Sequence, residues 1–246
     1  RDYYASRGLG DVYKRQTLGS GLIDTVQDQN IRKAGGDGQA VLNYISDEAF
    51  NDVKGNELID RIAYSKAVSY RLNNPGLAKW RSDMWYMDDT ALEFARYEPT
   101  TGHRPEAENE IIADTKTLEA LGVPAEIGAT VTLNYEIKGK EYTTDFTLCG
   151  FWETDSLSNI GRIIVSKAFI DNHADLLTYT YPVDNDYSGV VTAYIMFRSG
   201  GSVEEKLQQL LMETGYTCDT LGGQPADENY IIAVSYTHLR AHETRS

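Results

Sequence analysis

The most regular pattern of apolar and polar positions lies in the middle of the chain. Every second residue from Val131 to Ile137 is apolar, and the alternation resumes from Tyr142 to Leu148 after Gly139. A period of two residues is typical of a strand with one buried face, and a glycine between two such runs indicates a tight turn. The pattern therefore predicts a β-hairpin.

A strand–helix–strand unit is predicted near the beginning of the chain. Strands are expected at residues 41–44 and 59–72, with a helix from 47 to about 54 between them. Ser46 is a good N-cap, and Gly55 ends the helical pattern.

A second unit of the same kind is predicted near the other end. A strongly β-forming run at residues 190–198 precedes a helix at 203–214, and a short strand is expected at 216–219. Ser202 and Glu205 have the spacing of a capping box at the start of this helix. Two such units can share one sheet with both helices on one face. The sequence therefore predicts an α+β fold containing a discontinuous, ferredoxin-like (porter-type) βαβ subdomain with an inserted β-rich subdomain.

The expected division of the chain follows from these units. Residues 17–79 would hold a stalk and the first half of the porter-like subdomain, 80–183 the β-rich insertion, and 184–233 the second half. Within the insertion, further strands are expected at 84–87, 92–97 and 162–165, and helices at 115–121 and from 167 to about 177.

Both ends of the chain differ from the rest. Residues 1–16 and 234–246 lack apolar periodicity and carry basic clusters, so we interpret them as non-native, adapter-like sequence. The whole chain has 23 Lys and Arg against 37 Asp and Glu, a net charge of −14. Without the two ends the count is 17 against 34, or −17. A domain with this much negative charge is not expected to bind nucleic acid or an anionic membrane surface.

Motifs for catalysis or cofactor binding are missing from the sequence. It contains no P-loop, no GxSxG turn and no CxxC pair, so we expect no cofactor, no metal site and no enzymatic activity. His103 is interpreted as a surface loop residue. The neighbouring acids, which include Glu106, Glu108 and Glu110, are interpreted as solvated charge and not as a catalytic pair.

Two cysteines, Cys149 and Cys218, permit one disulfide, but their spacing does not decide whether they meet. Two separate, partly buried thiols are the favoured alternative.

Aromatic residues on loops can anchor a partner, although packing in the core is the more common role. The candidates for partner contact are Trp80, Trp85, Tyr86, Trp152, Tyr179 and Tyr181.

Residues 101–152 resemble a segment of the extracytoplasmic core domain of ABC transporter permeases of the MacB/FtsX type. The resemblance lies in a Gly-x-x-Pro turn, an acidic Asn-Glu-Ile segment, a small helix ending in Leu-Gly, and the hairpin. The matching residues are Gly102, Pro105, Glu108, Asn109, Glu110, Ile111, Leu121, Gly122 and Gly128.

The resemblance implies a non-catalytic domain on the outer face of a cell membrane that moves in response to a cytoplasmic ABC ATPase. A peptide, a lipoprotein or an envelope protein would be its partner, and its role would be export or signalling. The alternative is a stand-alone secreted or surface binding module that uses the aromatic loops.

Overall fold

The computed structural model describes residues 38–156, 158–180, 186–215 and 231–233. The adapter-like ends, the stalk at residues 17–30 and the strand expected at 216–219 lie outside these residues.

The strands of the described residues are β1 (Ala40–Ile45), β2 (Ile59–Ser69), β3 (Ser82–Met87), β4 (Thr101–Gly102), β5 (Glu110–Asp114), β6 (Thr130–Ile137), β7 (Lys140–Trp152), β8 (Gly161–Val165), β9 (Val191–Phe197) and β10 (Ile231–Ala233). The helices are α1 (Asp47–Val53), α2 (Asp89–Ala95), α3 (Thr115–Leu121), α4 (Lys167–Asn172) and α5 (Val203–Thr214), with a 3-10 turn at Pro75–Ala78.

Four strands from the two ends of the chain form a ferredoxin-like sheet. Their order is β10-β1-β9-β2, and all three neighbouring pairs are antiparallel. Apolar residues of α1 and α5, among them Phe50, Val53 and Leu210, pack with Leu42 and Ile195 of these strands in one core. This arrangement confirms the predicted α+β fold with a discontinuous ferredoxin-like unit.

The sheet continues without a break into the inserted residues. Strand β3 pairs with β2, and the order continues as β3-β8-β5-β7-β4, while β6 pairs with β7 alone. Apolar clusters cover both faces of this part, one of them including the hairpin, α3 and α4 and the other including α2. Because one sheet runs through both parts, the expected division at residues 79/80 and 183/184 stays a prediction.

The predicted hairpin is confirmed in position and in the face that it buries. Strands β6 and β7 pair from Thr130↔Thr147 to Ile137↔Lys140, and Gly139 occupies the turn with a φ of 76°. The apolar residues of β6 are at most 2% exposed. The second half of β7 extends beyond the hairpin and pairs with β5 and β4.

Three predicted elements differ from those observed. Residues 92–97 were expected to form a strand, but the chain forms helix α2 because Asp88 caps it and Ala91, Leu92, Phe94 and Ala95 present one buried helical face. Helix α4 ends at Asn172 instead of continuing to about 177. Strand β2 ends at Ser69, three residues before the expected position 72.

Candidate functional site

The three tryptophans expected to contact a partner are buried. Trp80, Trp85 and Trp152 are 8%, 8% and 6% exposed, respectively. Trp85 meets Tyr70 edge to face, with ring centroids 5.5 Å apart, and Trp152 stacks on Tyr97 at 5.1 Å. The indoles therefore contribute to packing and leave little surface for another molecule.

Two of the remaining aromatic candidates have more exposed area. Tyr86 and Tyr179 are half-buried, and Tyr181 lies outside the described residues. Trp80 also donates from Nε1 to Thr117 Oγ1 at 3.0 Å. Partner contact through these aromatic residues stays a prediction, and among the described ones Tyr86 and Tyr179 have the most surface for it.

The first and last described strands form one edge of the sheet, which we call the connecting edge. Strand β1 begins at Ala40 and β10 ends at Ala233, and these two residues are direct cross-strand partners. Directly opposed residues of an antiparallel pair have Cα atoms roughly 5 Å apart. The first residue of β1 and the last residue of β10 therefore lie side by side.

A buried ion pair joins β3 to β8. Arg162 donates from Nη1 to Asp83 Oδ2 at 2.9 Å, and the Asp83 side chain is only 2% exposed. Burial raises the pKa of Asp83, and the nearby guanidinium groups of Arg162 and Arg81 only partly offset that effect. The pair therefore links two strands that are also paired through their backbones.

Asp114 is a second buried carboxylate with a structural role. It caps α3 through Thr117 N at 2.9 Å and accepts from the Thr117 hydroxyl at 2.6 Å. It also accepts from Thr154 Oγ1 and from Arg162 N, each at 2.8 Å. The two bonds to Thr117 lie within the start of the helix, and those to Thr154 and Arg162 hold two other chain segments against it.

A third group of side chains has the composition of a ligand site. His103, Glu110 and Cys149 each offer a metal-ligating atom, and these atoms all lie within 4.8 Å of one another. Cys149 lies at an irregularity of β7, because Ile111 pairs with Leu148 while the next residue, Ile112, pairs with Gly150. Such a β-bulge redirects a side chain relative to the regular alternation.

Backbone groups orient each of these three side chains. Glu110 accepts with Oε2 from the amides of Glu106 and Ala107 at 2.8 and 2.9 Å. His103 Nδ1 lies 2.7 Å from the carbonyl oxygen of Arg104. The Cys149 thiol lies 3.4 and 3.3 Å from the carbonyl oxygens of His103 and Ile111.

The electrostatics of the group differ between its carboxylate and its thiol. Partial burial of Glu110 opposes its ionisation, but the two amide hydrogen bonds and the nearby His103 outweigh burial and hold its pKa below the usual value. Burial, together with the negative Glu110, raises the pKa of Cys149 to about 12. Cys149 is therefore a protonated, buried thiol at neutral pH; Cys218 lies outside the described residues.

Sequence reasoning missed this group. His103 and Glu110 lie within one short loop segment, but Cys149 is far from both along the chain. Each residue alone had a simpler interpretation as loop histidine, solvated acid or buried thiol. The three side chains come together because β5 pairs with β7 in parallel and because the short strand β4 pairs with β7. Neither pairing is indicated by a local sequence pattern. The Gly102–Pro105 turn next to an acidic segment was the nearest available indication.

None of the helices in the described residues is long and apolar enough to cross a membrane. Comparison of the sequence finds no matching protein-family model and no matching curated protein.

Comparison with solved structures does find matches. The periplasmic region of MacB from Actinobacillus actinomycetemcomitans matches with 14% identity and a TM-score of 0.49, over 88% of this chain and 97% of that one. The extracellular domain of the noncanonical ABC-type transporter YknZ from Gram-positive bacteria matches with 11% identity and a TM-score of 0.47, over 74% of this chain and 96% of that one. In both comparisons the matched chain is an extracytoplasmic part of its protein, and nearly all of it is covered.

Proposed function

We propose that this chain is the extracytoplasmic domain of an ABC transporter permease of the MacB/FtsX type. It would transmit motion driven by a cytoplasmic ATPase, for export of a peptide or lipoprotein or for signalling to an envelope protein. The resemblance of residues 101–152 to that family and the ferredoxin-like unit with its inserted strands support the proposal.

The observation that carries the proposal is the pairing of Ala40 with Ala233 at the connecting edge. A domain inserted between two membrane helices must receive and return the chain on the side that faces the membrane. Ends on opposite poles of the domain would contradict this role, whereas adjacent ends allow both connections to act on the same edge.

The continuous sheet also suits the transmission of motion. Force applied to β1 and β10 passes through β9 and β2 into β3 by backbone hydrogen bonds. Packed sheets and cores deform little and move as units, so a displacement at the connecting edge would move the inserted strands with it.

No catalytic role is part of the proposal, because any ATPase activity would belong to a separate chain or domain. The alternative of a stand-alone binding module depended on exposed aromatic loops. It has less support, since the three tryptophans are packed in the interior.

The DNA on either side of the codons for Thr17 and Ala233 provides the first test. We expect apolar runs of about 20 residues on both flanks, with an ATPase gene beside them. A signal peptide directly upstream together with a stop codon directly downstream would contradict the permease role and favour the binding module.

A second test follows the motion itself, in the full permease reconstituted with its ATPase. One spin label is placed at exposed Lys140 and another at the end of a membrane helix, and their distance is measured with and without ATP. We expect a change for this pair and none for a control pair at Lys54 and Lys140, both within the domain. A constant distance for the first pair would contradict mechanical transmission.

A further inference from the structure

We propose that His103, Glu110 and Cys149 form a binding site for a thiophilic divalent cation, with Zn²⁺ as the expected ion. The transmission of motion neither requires nor implies such a site. The argument rests on how the backbone brings the three side chains together, how each is oriented, and which ions accept this set of atoms.

The backbone brings β4 unusually close to the bulge of β7. His103 N donates to Cys149 O at 3.0 Å, directly after the pairing of Gly102 with Gly150. A Cβ at Gly102 would lie 2.1 Å from Cys149 O, and one at Gly150 would lie 2.6 Å from His103 O. Two glycines therefore permit the approach that places the histidine beside the thiol.

The orientation of His103 suits metal binding. A carbonyl oxygen cannot donate a hydrogen bond, so the 2.7 Å contact with Arg104 O requires the proton on Nδ1. The neutral ring then carries its lone pair on Nε2. Metal-binding histidines usually donate their other ring N–H to a carbonyl or carboxylate in this way.

The carboxylate is held in a similar manner. The amides of Glu106 and Ala107 both bind Oε2 of Glu110, and no hydrogen bond to Oε1 is found among the described residues. One carboxylate oxygen is therefore fixed by the loop and the other is available to an ion.

The ligand set selects the class of ion. Calcium and magnesium prefer oxygen ligands, whereas one sulfur, one imidazole nitrogen and one carboxylate oxygen suit Zn²⁺. Zn–ligand bonds of about 2.0–2.3 Å place tetrahedral ligand atoms roughly 3.3–3.7 Å apart. The atoms here lie within 4.8 Å of one another, and the exposed side chain of His103 can close the remaining distance.

Binding has a simple chemical balance. The Cys149 thiol loses its proton to solvent as the sulfur–metal bond forms, and the resulting thiolate and the Glu110 carboxylate together neutralise the two charges of the ion. Three protein ligands leave a fourth position, which water would occupy on the exposed side of His103.

The test uses Co²⁺ as a spectroscopic substitute for Zn²⁺ in the full chain carrying Cys218→Ser, so that Cys149 is the only thiol. We expect a thiolate-to-Co²⁺ charge-transfer band that Zn²⁺ abolishes by competition. Cys149→Ala should lose the band, while His103→Ala and Glu110→Gln should each weaken binding by at least about 100-fold. Glu106→Gln is the matched control, because Glu106 is an exposed acid of the same loop. It should bind the ion as tightly as the parent protein, which carries Cys218→Ser alone.

Two results would overturn the proposal. One is the absence of a thiolate band in the parent protein, and the other is a band that survives equally in His103→Ala and Glu110→Gln. Far-UV circular dichroism and thermal unfolding without metal establish that each variant is folded, with Cys149→Ser as a second replacement for the buried thiol. Zn²⁺ should raise the melting temperature of the parent and of Glu106→Gln more than that of the other variants, because the other variants bind the ion more weakly or not at all.

Discussion

Replacing Asp114 tests whether one buried carboxylate holds several chain segments together. Its two oxygens accept four hydrogen bonds, from Thr117 N, Thr117 Oγ1, Thr154 Oγ1 and Arg162 N, at 2.6–2.9 Å. The residue is 3% exposed, so water cannot easily replace these bonds. We therefore expect Asp114→Ala to cost more than the loss of an ordinary helix cap.

The magnitude follows from the donors that would be left without a partner. Loss of an N-cap costs about 1 kcal/mol, and each buried donor left unsatisfied adds roughly 1–1.5 kcal/mol at the lower end of its range. Counting the Thr117 hydroxyl and Arg162 N, and leaving half-buried Thr154 to water, the sum is about 3–4 kcal/mol. Asp114→Asn keeps one accepting oxygen and should lose about half of that amount.

The assay is equilibrium unfolding in urea, followed by tryptophan fluorescence and circular dichroism. The matched control is Ser166→Ala, because Ser166 is also buried at a helix start but accepts one bond, from Phe169 N at 3.0 Å. This control should cost about 1 kcal/mol. A free energy loss for Asp114→Ala no larger than that of Ser166→Ala would refute the reasoning.

Three further variants test the backbone, the core and the electrostatics. Gly102→Ala should lower the free energy of unfolding by about 3 kcal/mol or more, because Gly102 has a positive φ and a Cβ there would lie 2.1 Å from a β7 carbonyl oxygen. Its control, Gly122→Ala, has a positive φ but free space for the Cβ and should cost about 1–2 kcal/mol. Equal losses for the two variants in urea unfolding would contradict the close approach. Leu210→Ala should lower the free energy of unfolding by about 2–5 kcal/mol, because Leu210 is buried. Met212 on the same helix is 77% exposed, so Met212→Ala should cost less than about 0.5 kcal/mol. Similar losses for the two variants would mean that α5 does not pack as described. Burial raises the pKa of Asp88 despite its amide hydrogen bonds, so its negative charge destabilises the folded protein at neutral pH. Asp88→Asn should therefore stabilise the protein, with a gain that is complete above the raised pKa and disappears as pH falls below the ordinary pKa of an aspartate. A gain in the free energy of unfolding that grows toward acid pH would contradict this sign.

Local chemistry made several parts of the fold predictable from sequence. Ser46, Asp114, Ser166 and Ser202 each cap the helix expected to follow them, because the capping bond needs only one side chain and an amide three residues later. The hairpin was predictable for a similar reason, since its alternation and its turn glycine lie within 20 residues or so of each other. The ferredoxin-like unit was predictable from two strand–helix–strand patterns and from the rule that two such units can share one sheet with both helices on one face.

Features that depend on distant pairing were not predictable. Residues 92–97 have enough β-forming character to suggest a strand, but the cap at Asp88 and the burial of Ala91 and Ala95 together with Leu92 and Phe94 favour a helix. The bulge at Cys149 arises where β7 passes from its hairpin partner to β5, and no residue at that position has a bulge pattern of its own. The group of His103, Glu110 and Cys149 depends on this bulge, which is why sequence alone interpreted each member separately.

The position of the proposed metal site within the sheet leads to a last prediction. The site lies at β4, β5 and β7, and the connecting edge of β1 and β10 is at the other end of the same sheet. Eight strand spacings of about 4.8 Å separate the two ends, or roughly 40 Å along the sheet. An ion at one end can affect the other only if the sheet has two discrete arrangements that the ion binds unequally.

The division of the buried residues into clusters argues against such an arrangement in the isolated domain. The buried residues under β1 and β9 form a different cluster from those beside β5 and β7, and partly buried side chains, among them Tyr44, Tyr64 and Tyr194, make the contacts between clusters. We therefore expect Zn²⁺ to slow amide hydrogen exchange in residues 101–114 and 147–152 and to leave β1 and β9 unchanged, with Cys149→Ala showing no effect anywhere. Slower exchange in β1 as well would contradict this weak coupling, and it would mean that an ion bound at β4, β5 and β7 influences the connecting edge.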